Sequence, residues 1–192
     1  MINFDFSNKN KPKTGSLLIS EPFMYDDHFS RSVIFLCEHN DEGSFGFVLN
    51  KYIQSPAEDL VPELKSKEIK ISIGGPVDKT NLYFVHAFGD QIGNSIKVKD
   101  GLYIGGDFNQ LKELINTDEK SIDQVRFFIG YSGWSAGQLD EEMEEKSWVV
   151  VNNVPTEMIL DTTNDHLWKS LMEQLGGKFK AMTNFPMNPS DN

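Results

Sequence analysis

Short apolar runs, broken by glycine, proline and asparagine, recur along the chain and predict strands. Gly15-Ser16-Leu17-Leu18-Ile19-Ser20 is the first, stopped by Pro22. Val33-Ile34-Phe35-Leu36-Cys37 is apolar at every position, the pattern of a strand covered on both faces. A turn at Asn40-Asp41-Glu42-Gly43 returns the chain as Phe45-Gly46-Phe47-Val48-Leu49, and so short a connection predicts an antiparallel hairpin. Ile69, Ile71 and Ile73 alternate with polar positions until Gly74-Gly75-Pro76 breaks the run. Leu82 to His86, a weaker run from Ile92 to Val98, Val125 to Tyr131, and Trp148 to Val151 complete the strands.

Helical periodicity fills the gaps. Pro56 suits a first helical position. Asp107 caps a run to Asn116 in which Phe108, Leu111 and Ile115 share a face. Leu139 and Met143 mark the buried side of an acidic helix that begins at Asp140. Thr163 or Asn164 caps a last helix with Leu167, Trp168, Leu171, Met172 and Leu175 as its stripe, closed by Gly176. Hairpin and crossover connections together predict an α/β domain with a mixed, strongly curved or barrel-like sheet and helices packed outside it. That domain is expected over residues 15–182, with a loose arm at 1–14 and a tail at 183–192.

Composition narrows the function classes. At 192 residues the chain is long enough for one domain with a full core. Its single cysteine, Cys37, excludes an internal disulfide framework and suits a reducing cytoplasm. No apolar run approaches membrane length and the N-terminus is too polar for a signal peptide, so a cytoplasmic protein without membrane association is expected. A net charge of −11 repels phosphate polymers. Lys65, Lys67, Lys70 and Lys79 are interleaved with Glu63, Glu68 and Asp78, which disfavours direct nucleic-acid binding.

Four ordered blocks carry a family likeness. Phe29-Ser30-Arg31-Ser32-Val33, then Glu38-His39-Asn40, Gly46 and Asn50, resembles the opening signature of the YqgE/AlgH family. Gly74-Gly75-Pro76-Val77 with Leu82 and His86 is similar to its second block. Gly130-Tyr131-x-Gly133-Trp134-x-x-Gly137-Gln138-Leu139 with Trp148 resembles the third, and Trp168 with Gly176 the last. The resemblance implies a compact mixed α/β fold of bacterial cytoplasmic proteins and a regulatory role. It supplies no catalytic residue set, and the end after Thr183 departs from the family's glycine-rich terminus.

Several constellations carry candidate chemistry. Gly133-x-Ser135-x-Gly137 has the spacing of a nucleophile elbow, and Ser135, Asp161 and His166 follow the order serine, acid, histidine. Against hydrolysis, the strand is expected to end at Tyr131, leaving Ser135 late for a tight elbow. Asp161 and His166 would also have to fold back to meet it. The alternative is a glycine turn that lets Trp134 pack against the sheet. Cys37 and His39 share a face if their strand continues, but two ligands are too few for zinc, so no metal or cofactor is expected. His86 reads first as a structural histidine and second as a ligand candidate, as does Trp134 beside the glycines. Gly74-Gly75, Gly105-Gly106 and Gly133 to Gly137 offer backbone donors to a small anion, in a pocket that His39, Asn40, Asn50 and Gln138 would line. Asp140 to Glu145 is the expected partner surface, with Asp140, Glu141, Glu142, Glu144 and Glu145 on one exposed face. The leading expectation is a non-enzymatic regulatory or protein-interaction module, with a Ser135 hydrolase and a small-anion domain as alternatives.

Overall fold

Adjacent β-branched and aromatic residues pair into one open, mixed sheet in the computed structural model, which describes residues 6, 8–54, 60–62, 64 and 69–185. Its strands are β1 (Leu17–Ser20), β2 (Val33–Asn40), β3 (Gly43–Val48), β4 (Ile71–Ile73), β5 (Val77–His86), β6 (Ile96–Lys99), β7 (Leu102–Ile104), β8 (Val125–Ser135) and β9 (Trp148–Val151). They lie in the order β6-β7-β5-β8-β3-β2-β1-β9, with β4 beside β8. β6 and β9 end that path, so the sheet is not a closed barrel. The expected hairpin is β2–β3, with Asn40 opposite Gly43.

β8 is the spine. β5 runs antiparallel along one edge of it, from His86 opposite Val125 to Val77 opposite Tyr131. The other edge is shared: β4 pairs parallel with Phe127–Ile129, and β3 pairs antiparallel with Ser132–Ser135. Gly74 sits where the two meet. Its amide donates to Ile129 O (2.8 Å), and its carbonyl accepts from Val48 N (2.8 Å) and Ser132 Oγ (3.0 Å).

Five helices follow among the described residues: α1 (Phe108–Thr117), α2 (Gln138–Glu144), α3 (Thr156–Leu160), α4 (Leu167–Leu175) and α5 (Gly177–Met182). Strand alternation divides the apolar residues between layers. Leu17, Ile19, Val33, Phe35 and Val149 face the main core under α3, α4 and α5. Leu18, Ile34, Leu36 and Val150 face the opposite layer, with Trp134 and Trp148 and with Leu139 of α2. β1, β2 and β9 are thus covered twice, as their continuous apolarity predicts. A third cluster packs Phe84, Phe127 and Ile71 under Leu111 and Ile115 of α1. Each such side chain contributes about 2 kcal/mol on burial.

Asp107 caps α1 as expected, accepting from Asn109 N and Gln110 N. The last long helix starts later than expected. Asn164 Oδ1 accepts from His166 N (3.0 Å) in a local turn, and α4 begins at Leu167 without a side-chain cap. The weak run from Ile92 contributes strand only from Ile96. The N-terminal segment is tied to the sheet at residues 8 and 10. Asn8 Nδ2 and Asn10 Nδ2 donate to Val150 O (2.7 and 3.0 Å), so side-chain amides cover the open edge of β9. Phe185, expected in the tail, stacks on Phe23 at 5.3 Å and accepts from Arg31 Nη2 through its carbonyl. The helix expected at Pro56 and residues 186–192 lie outside the described residues. None of the described helices is long and apolar enough to cross a membrane.

Candidate functional site

The glycine-rich segment is a strand end braced by its own helix. β8 does not stop at Tyr131 but continues through Ser135. Gln138 Oε1 then accepts from Ser135 N (3.1 Å) and Ser135 Oγ (3.2 Å), while Gln138 Nε2 donates to Glu142 Oε1 (3.0 Å). Glu142 Oε2 accepts from both indoles, Trp134 Nε1 at 2.9 Å and Trp148 Nε1 at 2.7 Å. The two rings meet edge to face at 6.2 Å. Glu142 therefore does not share the exposed acidic face expected of it. Asp140, Glu141, Glu144 and Glu145 remain there, and Glu142 points inward as a double acceptor.

Removing that carboxylate leaves two indole donors without a partner, and Trp148 is only 1% exposed. Glu142→Ala is expected to lower unfolding stability by about 2 kcal/mol, against about 1 kcal/mol for Glu142→Gln, which keeps an acceptor. Urea denaturation followed by tryptophan fluorescence reads both. Equal losses in the two variants would remove the acceptor role.

The hydrolase constellation does not assemble. The Ser135 hydroxyl donates to an amide oxygen, where a triad needs an imidazole. Asp161 Oδ1 is taken by the Thr163 hydroxyl and amide (both 2.7 Å), and the hydroxyl contact holds its pKa below the usual carboxylate range. Among the described residues, His166 bonds neither Ser135 nor Asp161. Gly137 takes the left-handed conformation (φ +77°) that opens α2, and Asp140 and Glu141 occupy the first turn, where an anion would have to sit.

The remaining candidates scatter. A bulge between Leu36 and Glu38 breaks the alternation that would pair Cys37 with His39. Cys37 is buried, and burial pushes its thiol pKa well up, so it is a poor nucleophile. His39 Nδ1 lies 2.7 Å from Ser44 Oγ across the hairpin. No group of three or more His, Cys, Asp or Glu able to hold a metal occurs among the described residues. His86 Nδ1 accepts from Phe88 N (3.2 Å), which places the ring proton on Nε2 for Gly105 O (3.1 Å) and Ser95 Oγ (2.9 Å). Burial lowers its pKa, consistent with a neutral, fully bonded ring. Asn50 bridges the β2 entry, accepting from Val33 N and donating to Arg31 O (both 2.8 Å). Gly74 and Gly75 press against β8, where a Cβ would lie 2.3 Å from Gly130 O or Tyr131 O respectively.

One open cleft of about 640 Å³ lies between the β2–β3 hairpin, β5 and β8. Phe45, Phe47, Tyr83 and Tyr131 form its aromatic wall as a closed circuit, with centroids 6.1, 5.8, 5.8 and 6.2 Å apart in turn. Phe45, Tyr83 and Tyr131 are where the main core reaches the surface, and Phe47 lies fully buried behind them. Glu38, Asn40 and Glu42 of the hairpin form the rim. Asn40 is fixed there, donating to Glu38 Oε1 (2.6 Å) and accepting from Glu42 N (2.9 Å). Tyr83 donates to Asp78 Oδ2 (2.5 Å), and burial together with this bond pushes its pKa up to about 12.

Of the residues expected to bind a ligand, Asn40, Gly133 and Trp134 line this cleft, with His39 adjacent in the hairpin. Asn50, Gly74, Gly75, His86, Gly137 and Gln138 lie outside its lining. The four rings and two rim carboxylates were missed. Phe45 and Phe47, two apart on one strand, were the available signal, and they read as core.

Comparison with known proteins covers nearly the same span as the motif blocks. A family model described as AlgH-like matches residues 17–180. A UPF0301 protein of Parabacteroides distasonis is 42% identical over 180 residues, covering 93% of this chain and 90% of that protein. A UPF0301 protein of Cytophaga hutchinsonii is 39% identical over 176 residues, covering 91% and 96%. Two solved structures share the fold. A Corynebacterium diphtheriae protein superposes with a TM-score of 0.75 at 23% identity, over 93% of this chain and 95% of that one. The AlgH protein of Pseudomonas aeruginosa superposes with a TM-score of 0.69 at 22% identity, over 93% and 98%. The glycine-tryptophan brace and the strand crossing at Gly74 thus sit within a matched span from β1 to α5, and the chain belongs to the AlgH-like family.

Proposed function

We propose that this chain is a non-catalytic protein-interaction module that receives a partner in the aromatic cleft, and that any regulatory effect follows from that contact. The observation that carries this reading is a preformed cleft with ring walls and a carboxylate rim. Its serine, Ser44, meets His39 Nδ1 at 2.7 Å, but no carboxylate bonds that imidazole among the described residues to complete a triad. Aromatic surface at the mouth of a core is the composition of interface hot spots. The rim carboxylates and the net charge of −11 argue against an anionic ligand or nucleic acid as the occupant. The single buried cysteine suits work in the cytoplasm.

A photo-crosslinking residue at Val77, which lines the cleft and is 39% exposed, tests this against one at Glu144 on the acidic helix. In bacterial lysate the Val77 variant is expected to yield a discrete protein adduct. An adduct at Glu144 alone would move the partner to α2 and end the cleft reading. A fluorophosphonate probe is expected to leave the protein unlabelled, and labelling that disappears in Ser135→Ala would establish catalysis instead.

A further inference from the structure

Resting on that reading, we infer that the cleft takes a lysine or arginine side chain of the partner, with the cationic head against the rings and rim and the methylene stem along the apolar wall. Three features of the cleft converge on this chemistry. The faces of Phe45, Tyr83 and Tyr131 carry the negative lobe of the ring quadrupole, which attracts ammonium and guanidinium groups. Glu38 and Glu42 stand at the hairpin end of the same cleft, both exposed, and no lysine or arginine is in its lining. Val77 and Ile104 supply apolar surface for a stem that a bare inorganic cation lacks.

Size and field agree. A volume of about 640 Å³ exceeds the needs of a lone ion and suits a long side chain with its flanking backbone. The negative field of the whole chain draws a basic segment toward the site before contact. Glu38 is held by Asn40, so one carboxylate is oriented in advance. An acidic occupant would be repelled by the rim carboxylates, and a neutral one would gain nothing from their charge.

The test uses two acetylated, amidated tripeptides titrated into the full chain and followed by NMR. One is leucine–arginine–leucine. The other carries citrulline in place of arginine, which keeps the shape and removes the charge. The arginine peptide is expected to shift Phe45, Tyr83 and Tyr131 resonances saturably and to bind about tenfold more tightly than its citrulline twin. The double variant E38Q/E42Q, at two exposed positions, should erase most of that preference while leaving the spectrum folded. Raising the salt should weaken the arginine peptide more than the citrulline one. Equal binding of the two peptides, shifts confined to the acidic helix, or no shifts at all would overturn the cationic occupant. These results are separable from the broader reading. An adduct at Val77 together with indifference to charge would sink only the cationic occupant, whereas absence of an adduct at Val77 ends the cleft reading on which it rests.

Discussion

Arg126→Met is expected to cost about 4 kcal/mol of unfolding free energy, the largest loss of any substitution considered. Arg126 is 1% exposed and carries a charge inside the sheet without a carboxylate bonded to it. All five of its N–H donors are nevertheless used. Nε donates to Ser72 Oγ (3.2 Å), and Nη1 donates to Ile159 O (2.8 Å) and Asp161 O (2.7 Å). Nη2 donates to Leu49 O and to the Tyr52 hydroxyl (3.1 Å). Two of these acceptors are end carbonyls of α3, which lack partners within their own helix. Burial lowers the guanidinium pKa, so the desolvation penalty is real, and methionine would relieve it. The balance still favours arginine. Its acceptors are mostly backbone carbonyls, which stay buried after the substitution, and each orphan costs about 1–3 kcal/mol. Lysine has three donors and no planar fork, so Arg126→Lys is expected to recover little. Urea denaturation should show a lowered midpoint at unchanged slope. A loss under about 1 kcal/mol would mean that the carbonyls find other donors.

The Arg126 cluster also marks how far the sequence is legible. Local chemistry is readable: Asp107 ahead of Phe108, Leu111 and Ile115 announces α1, and the turn at 40–43 between two apolar runs announces the hairpin. The glycines around Trp134 announce a constrained turn. What they constrain depends on groups that the helix brings back. Glu142 lies three residues after Leu139 and one before Met143, a spacing that sets it on the buried side of α2. Its charge suggests the surface, and helix phase is the better guide. A lone arginine within Val125-Arg126-Phe127-Phe128-Ile129 was a comparable signal of a buried cation. The cleft was not legible, because its rings come from β3, β5 and β8, and only long-range register brings them together. The anion expectation depended on the same long-range register. Gly74-Gly75 meets β8 at Tyr131, but only Gly133 of these glycines lines the cleft, and carboxylates stand at its rim.

Gly74→Ala is expected to cost about 3 kcal/mol, while Gly137→Ala costs about 1 kcal/mol. The contrast separates two uses of glycine. Gly137 adopts φ +77° in open space, with nothing within 4 Å of an added Cβ, so alanine there meets only left-handed strain. At Gly74 a Cβ would lie 2.3 Å from Gly130 O and 2.8 Å from Phe47 Cδ1. Backbone cannot swing aside as a flexible side chain does. Gly130 lies at a left-handed bend of β8 (φ +68°), and Gly74 is itself bonded through its amide and carbonyl to β8 and to Val48. Relief must therefore come from separating the chain at Gly74 from β8, and Phe47 must be displaced as well. Displacing Phe47 disturbs its stack on Phe128 (4.4 Å) and the aromatic wall of the cleft. Gly74→Ala should consequently lower the adduct yield of a crosslinker at Val77 under conditions where the variant remains folded, and Gly137→Ala should not. Denaturation midpoints that fall equally in the two variants would show that the crossing has room, and that packing at this point does not shape the site.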